Sequence, residues 1–467
     1  MPANRRPRLA LFSPLNPVRS GISDYTEENL PYWSEYAEID VVVDSYRPSS
    51  ASVVASHRVL DVAGFLDRAD DYDGAIYQVG NNYEHCGYMI PCMRRAPGVA
   101  VVHDYSLSYL MLGLTAMRGD IETLDRILQR STGDGARYGA WDLLLSKADP
   151  YEVSLAAPVV EMARGAIVHN RFAADRLRRS FPGKRLATIP HPTPIREPRA
   201  GVAELRRQYG FGPQDEIVAS VSSVAYNKRL GILVDALAES RDRRPNLKLL
   251  VVGQGALGGE IRGQIARQGL AGRVVATGWV DAEAYLDYID LSDIVADLRY
   301  PTAGETSGSI LRAIQAGRPI VVSDHGFFAE LDESFAWKIP VGENEREGFR
   351  EALETLLGDP GRRAAMGAAG ARFARESLRR EVVAEAYMRF VLEALAAADP
   401  VVEWELPAAP RARWKRSALA AAYRLGRVGY YSRRYGLTDT VRRIFGGTGN
   451  GRSRVENRPA AAVRGRR

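Results

Sequence analysis

The chain has 467 residues, 46% hydrophobic and 26% charged, with a formal net charge of +6; this is a globular composition too long for one ordinary core, implying two large domains and something extra. No run approaches the roughly 18 apolar residues of a membrane span, and residues 1–8 are polar, unlike a secretory leader. Cys86 and Cys92 have no metal-ligand partners nearby in sequence, so a metal module is excluded, and reduced thiols in the cytoplasm are expected.

Short runs rich in Val, Ile and Ala at 9–12, 39–43, 74–78, 99–103 and 165–168 suit strands buried on both faces of a parallel sheet. Helical stretches fall at 23–36, where Pro31 should introduce a kink, and at 173–180, and a long helical region at 121–163 separates the last two strands. Residues 189–198 are too proline-rich for helix or central strand and read as a linker. The second half repeats the logic, with strands at 217–221, 248–252, 274–277, 294–298 and 319–322. Helices at 230–240, 258–268, 282–288, 309–316 and 345–357 alternate with them, and an amphipathic helix follows at 381–397. Two doubly wound α/β domains joined by a linker imply a cleft faced by the strand C-terminal ends.

Residues 400–467 hold 16 Lys and Arg against 4 Asp and Glu, leaving 47 against 53 for the rest, so the basic excess belongs to the tail. Trp414, Ala418, Ala421, Leu425 and Val428 recur at helical spacing among Arg411, Arg413, Lys415, Arg416, Arg424 and Arg427. Such a helix suits an anionic membrane surface, with Tyr430, Tyr431, Tyr435 and Phe445 extending the contact; a solvated, partly helical tail is the plainer alternative. Disorder is expected from Gly446 onward, and no nucleic-acid module is present.

The most telling stretch is 299–319. An apolar run leads into a loop holding Glu305, Thr306, Ser307 and Gly308, and a helix then opens at about Ser309 and closes at Gly317 and Pro319. Strand, polar loop and helix N-terminus make an anion site, because unpaired N–H groups and the helix dipole point at the loop. Glu305 beside it can accept hydrogen bonds from hydroxyls, and a place that holds both phosphate and polyol suggests a sugar nucleotide.

In the first turn, residues 13–25, Gly21 lets the backbone approach a phosphate and Ser23 or Asp24 can cap the helix, although a plain βα turn looks alike. No G-x-G-x-x-G spacing supports a dinucleotide oxidoreductase. His103 and Asp104 end a strand on the cleft side, where the imidazole can reach a sugar hydroxyl or be buried structurally; His85, and His169 with Asn170, are weaker candidates. The six histidines form no metal-ligand cluster. Lys228 and Arg229 stand at a helix entrance, which disfavours cations unless an anion sits there. A diphosphate would serve; solvated surface charge is the alternative. Gly253-Gln254-Gly255 and Gly278-Trp279 could seat a base and ribose.

From about Leu9 to Ala397 the order and spacing of these segments resemble family 4 of the retaining, nucleotide-sugar-dependent glycosyltransferases of GT-B fold. The likeness rests on Ser20-Gly21-Ile22 with Tyr25, Gly80-Asn81 with His85, His103-Asp104, the Lys228-Arg229 turn, Val251-Val252-Gly253, and the Glu305 loop with Ala316-Gly317-Arg318-Pro319. The resemblance implies two Rossmann-like domains: an acceptor domain at 1–190, a linker at 191–215 and a donor-binding domain at 216–380. A helix at 381–398 would cross back to the first domain, and a basic tail would follow at 399–467. It further implies Gly21 against the donor phosphate, His103 on the hexose, Lys228 on the diphosphate, Glu305 on sugar hydroxyls, and Thr306, Ser307, Gly308 and Ser309 offering backbone N–H groups. Arg229, Gly253 and Arg312 would line the donor site.

No metal or other cofactor is implied. The activity would be retaining transfer of a hexose from a nucleotide-diphosphate sugar to a saccharide or lipid-linked acceptor, in polysaccharide or glycolipid assembly. It would take place in the cytoplasm or on the inner face of the membrane. Two departures stand out. The family has two glutamates eight residues apart where this chain has Gly304, with Glu305 one step late, and Arg312. A basic residue usual five before the lysine is Ser223 here. These departures keep open an inactive nucleotide-sugar-binding scaffold, and an epimerase of similar fold is a third reading.

Overall fold

A computed structural model describes residues 5–132, 137–196, 201–222, 224–253, 259–397, 399–407 and 412–435. In the first domain seven strands, β1 (Arg8–Phe12), β2 (Glu38–Val42), β3 (Val59–Leu60), β4 (Gly74–Val79), β5 (Val99–Val102), β6 (Gly165–Val168) and β7 (Leu186–Thr188), form a parallel sheet in the order β3-β2-β1-β4-β5-β6-β7. In the second, β8 (Glu216–Val221), β9 (Leu247–Val252), β10 (Val274–Gly278), β11 (Ile294–Asp297), β12 (Ile320–Ser323) and β13 (Ala336–Ile339) run in the order β10-β9-β8-β11-β12-β13, again parallel. The near-continuous apolar runs are buried on both sheet faces because crossover helices cover each side. Strand order reverses between β1 and β4 and between β8 and β11, and a crevice opens outside the C-terminal ends at such points. The Gly21 turn follows β1, His103 follows β5, the Lys228 turn follows β8 and the Glu305 loop follows β11.

Several elements differ from expectation. The region 121–163 is three helices, Ile121–Thr132, Ala140–Leu144 and Ala157–Met162, not one. β3, β7 and β13 were not foreseen; all lie at sheet edges, where short and half-covered strands lack a long apolar run. Helix Pro360–Ser377 was also unforeseen. The Pro-rich stretch up to residue 196 is irregular, and helix Val202–Gln208 lies inside the expected linker.

Helix Arg380–Ala397 leaves the second domain and packs Val383, Tyr387, Met388 and Val391 into the core built by Leu9, Leu11 and Trp33 of the first. Tyr387 stacks on Trp33 at 4.6 Å, and its hydroxyl accepts from Gln78 Nε2 at 3.0 Å. The chain then runs back along the first domain. Asp399 accepts from Arg185, and Trp404 Nε1 donates to Glu161 at 2.9 Å. Helix Arg413–Tyr435 docks on the first domain's core through Leu419 and Tyr423. Its Trp414–Ala418–Ala421–Leu425 stripe points outward, Trp414 and Leu425 each being 69% exposed. Phe445 and the segment from Gly446 lie outside the described residues. Among the described residues no helix is long and apolar enough to cross a membrane.

Tyr387→Phe should cost about 1 kcal/mol through the lost hydrogen bond, whereas Tyr387→Ala should cost about 3–5 kcal/mol by opening a cavity under Trp33. Urea unfolding curves separate the two, and equal losses would mean that the stacked ring contributes little.

Candidate functional site

β11 is apolar for three residues and then ends on Asp297; Arg299 follows two residues later, and both are almost wholly buried. Buried charges survive only when paired, and here the pairing builds the site. Arg299 Nη2 donates to Asp297 Oδ2 (2.5 Å) and Ser307 Oγ (3.1 Å), while Nη1 donates to Glu305 Oε1 (2.8 Å). Thr302 Oγ1 donates to Glu305 Oε2 at 2.7 Å, and Ser307 Oγ donates to Asp297 Oδ2 at 3.1 Å. The loop 300–307 is therefore wound around one guanidinium, and helix Gly308–Gln315 opens directly from it.

Lys228 ends a 3₁₀ turn, Tyr226–Lys228, tied to the same loop: Tyr300 N donates to Asn227 O (2.9 Å) and Asn227 Nδ2 to Pro301 O (3.3 Å). Its side chain is 11% exposed, and its ammonium lies 3.7 Å from Asp297 Oδ1, longer than a hydrogen bond. Burial, reinforced by neighbouring Arg299 and opposed by Asp297 and Glu305, lowers the Lys228 pKa to about 8. Burial alone would raise Asp297 and Glu305, but Arg299 and then Lys228 outweigh it and hold both below their ordinary values.

The first domain supplies the opposite wall. Ser106 N donates to Ala303 O at 2.9 Å, and Asn170 Nδ2 donates to both Gly304 O and Thr306 Oγ1 at 2.9 Å. Gly304 has φ +81°, and a Cβ there would run into Tyr105, so this position cannot carry a side chain. The loop's carboxylate stands one residue later for that reason. Asp104 accepts from Asn81 N at 2.7 Å; burial and then Glu305 push it up to about 7. His103 Nε2 meets Gln78 Oε1 at 2.8 Å, and its ring lies edge-on to Tyr25 at 4.9 Å. Burial first, then His169 and His191, keeps it well below the usual imidazole range. Tyr25 also touches His191 (4.8 Å), whose ring sits beside Gly308.

Gly21 opens helix Gly21–Trp33 with nothing within 4 Å of its Cβ position, and the cap is Ser20, not Ser23 or Asp24. Lys228, Glu305, Thr306, Ser307, Gly308 and Ser309 thus converge, and His103 reaches them through Tyr25 and His191. Arg229 and Arg312, expected at the donor, are engaged by carboxylates: Arg229 pairs with buried Glu345, and Arg312 donates to Glu28 Oε1 at 2.6 Å. Gly253, with φ +147°, donates its N–H to Gly278 O at the end of β9. Arg19 lies over Trp279 at 4.3 Å. Ser223, Gln254 and Gly255 lie outside the described residues. Asp297, Arg299 and Glu28 had no role in the sequence reading; two charges within three residues at the end of an apolar strand were the available signal for the first two. Among the described residues no group of three or more His, Cys, Asp or Glu is arranged to hold a metal ion.

An acid raised from 3.8 to about 7 holds a proton in the folded protein that the unfolded chain has already released, so Asp104 lowers stability as pH rises across that window. Asp104→Asn should therefore melt above wild type at pH 8, with the difference shrinking towards pH 4 in thermal-unfolding scans.

Residues 202–373, which hold nearly all of the second domain, match the family described as Glycosyl transferases group 1. The α-D-kanosaminyltransferase of Streptomyces kanamyceticus is 30% identical over 159 residues, covering 34% of this chain and 40% of that protein. The GDP-mannose-dependent α-(1-6)-phosphatidylinositol monomannoside mannosyltransferase of Mycolicibacterium smegmatis is 30% identical over 177 residues, 37% of this chain and 46% of its own. The chain thus spans under half the length of these relatives. Over the whole fold, the crystal structure of Anabaena HepE in complex with UDP superposes with TM-score 0.60 at 17% identity, covering 84% of this chain and 100% of that one. Two parallel-sheet Rossmann-like domains in the GT-B arrangement are the fold of this protein, and its second domain carries a glycosyl transferases group 1 segment.

Proposed function

We propose that this protein is a retaining glycosyltransferase of family 4 type that moves a hexose from a nucleotide-diphosphate sugar to a saccharide or lipid-linked acceptor. The observation that carries the reading is the buried Lys228 ammonium, whose ion pair is long, set beside Arg299 and the N-terminus of helix Gly308–Gln315. A cation desolvated without a close counter-ion is costly. A diphosphate at that mouth would supply the missing charge and meet the helix N–H groups of Ser309 and its neighbours.

In this reading Lys228, helped by Arg299 and the helix dipole, stabilises the departing diphosphate, which is where negative charge grows as the glycosidic bond breaks. Glu305 is oriented by Arg299 and Thr302 and stays ionised, so it can accept hydrogen bonds from donor-sugar hydroxyls. Gly21 leaves open space for the phosphate, and His103, neutral, reaches the sugar. The acceptor hydroxyl attacks from the face that the diphosphate leaves, and the phosphate oxygen takes its proton, so no protein nucleophile is required. The acceptor would lie on the first domain. The outward Trp414–Leu425 stripe, with exposed Arg413 and Arg424, suits contact with an anionic lipid surface, and liposome retention lost on truncation at 399 would test it. The reading places the work in the cytoplasm, at or near the inner face of the membrane, without a metal cofactor.

A panel of nucleoside diphosphates and their sugars should raise the melting temperature for at least one base; no shift with any of them would end the proposal. With the donor so found, Lys228→Ala should lower kcat by about 10²–10³-fold while donor affinity changes much less. Because Lys228 loses its proton near pH 8, kcat/KM should fall as pH rises through that value. Lys228→Arg should keep reduced activity but lose this alkaline limb, since a guanidinium stays charged.

A further inference from the structure

The tail helix Arg413–Tyr435 ends its run across the first domain at the turn that carries Lys228. Gly426 is buried where a side chain would run into the backbone of Leu144, so the helix lies flush on the Ala140–Leu144 segment. One turn further on, the Tyr430 and Tyr226 hydroxyls meet at 2.6 Å, and Tyr430 Oη donates to Asp149 Oδ2 at 3.3 Å. A phenol has one proton to give. With Tyr430's directed to Asp149, Tyr226 donates to Tyr430, giving a chain Tyr226→Tyr430→Asp149. The Tyr226 ring also meets Tyr151 edge-on at 6.2 Å. Tyr226 belongs to the second domain, Asp149 and Tyr151 to the first, and Tyr430 to the tail. Three parts of the chain distant in sequence therefore join two residues before Lys228.

We infer that Tyr430 and Tyr226 are positioning residues: the tail helix is a strap that holds the Tyr226–Lys228 turn against the first domain and so sets where the Lys228 ammonium sits. The turn's own hydrogen bonds, Lys228 N to Ala225 O and Arg229 N to Tyr226 O, are local. The Asn227 contacts tie it to the 300–307 loop, which Ser106 and Asn170 bond to the first domain, so that link is indirect. A hydroxyl relay through a helix docked on the first domain adds a link at the turn itself, beside the Tyr151 ring contact, because an alternative position of the turn would leave Tyr430 and Asp149 without that partner. Any widening of the crevice at this lip must break the relay, so the strap also favours the closed arrangement.

The consequence for catalysis rests on the function proposed above, but the strap itself can be read without it. In the full-length protein, Tyr430→Phe keeps the ring and removes the hydroxyl. Its amides at 226–229 should exchange hydrogen at least severalfold faster than wild type, while the β8 amides stay unchanged, and the exposed same-helix substitution Ser417→Ala should leave both as they are. With an active donor in hand, Tyr430→Phe should lower kcat about three- to tenfold, the worth of one hydrogen bond, with a smaller change in donor KM. Tyr430→Ala should in addition move the alkaline limb of kcat/KM upward, towards the ordinary lysine value, as water reaches the loosened ammonium. Unchanged exchange at 226–229 in the Phe variant overturns the strap whatever the enzyme does. Faster exchange with an unmoved alkaline limb and unchanged kcat overturns the coupling to Lys228. Wild-type protein that neither binds nor turns over any nucleotide sugar counts against the proposed function and leaves the exchange result standing.

Discussion

One guanidinium organises this molecule. Arg299 sits 4% exposed at the end of β11 and satisfies Asp297, Glu305 and Ser307 at once. Without it two carboxylates would be buried with one distant ammonium between them, an arrangement that costs several kcal/mol per unpaired charge. With it, two cations and two carboxylates balance, and the hydrogen bonds set the shape of residues 297–307. That shape aims the N-terminus of helix Gly308–Gln315 at the crevice and leaves Lys228 as the group with the least complete pairing. The chemistry of the site follows from this inequality. Under the proposed function, Arg299 chiefly shapes the loop, and Lys228 would be the nearer partner for an incoming anion.

The loop that Arg299 shapes belongs to both domains. Ser106 and Asn170 of the first domain bond to its backbone at Ala303 and Gly304, and the Gly304 Cα lies so close to Tyr105 that no side chain fits. Glu330 of the second domain reciprocates by accepting from Arg171 N (2.9 Å) and Phe172 N (2.6 Å), the unpaired donors that open helix Arg171–Ser180. Each of these contacts has a main-chain group on at least one side, and Ser106 N to Ala303 O has one on both. Beside this loop, burial first and then Glu305 raise Asp104 towards its protonated form.

Much of the architecture was legible because buried parallel strands write themselves as unbroken Val, Ile and Leu runs, as at 165–168 and 217–221. Edge strands do not: in β13 buried Ala336 and Ile339 flank half-covered Trp337 and Lys338, so four residues show neither an apolar run nor an alternation. The polar loop before helix Gly308–Gln315 could be read from its residue types and from the helix that follows. What could not be read was which charge pairs with which. Arg229 and Glu345 are 116 positions apart, and Arg312 and Glu28 are 284 apart; nothing local marks such partners. The position of Glu305 looked like a slip in sequence. In space it is a steric requirement, visible only once Tyr105 is set against residue 304.

The same logic bears on Arg312. A carboxylate at this position of the helix would face Glu28 across the crevice with like charge. Arg312 instead donates to Glu28 Oε1, and Arg380, at the start of the helix that returns to the first domain, donates to Oε2 at 2.5 Å. Burial works against the charged guanidinium, but Glu28 outweighs it and raises the Arg312 pKa. One carboxylate on the first domain's opening helix therefore holds two arginines, from the second domain and its crossover, in a three-point clamp. A substitution at a single helix position thus changes more than one contact. It converts a wall that would repel the opposite domain into one that fastens it, and an opening of the crevice that carries helix Gly308–Gln315 away must separate Glu28 from Arg312.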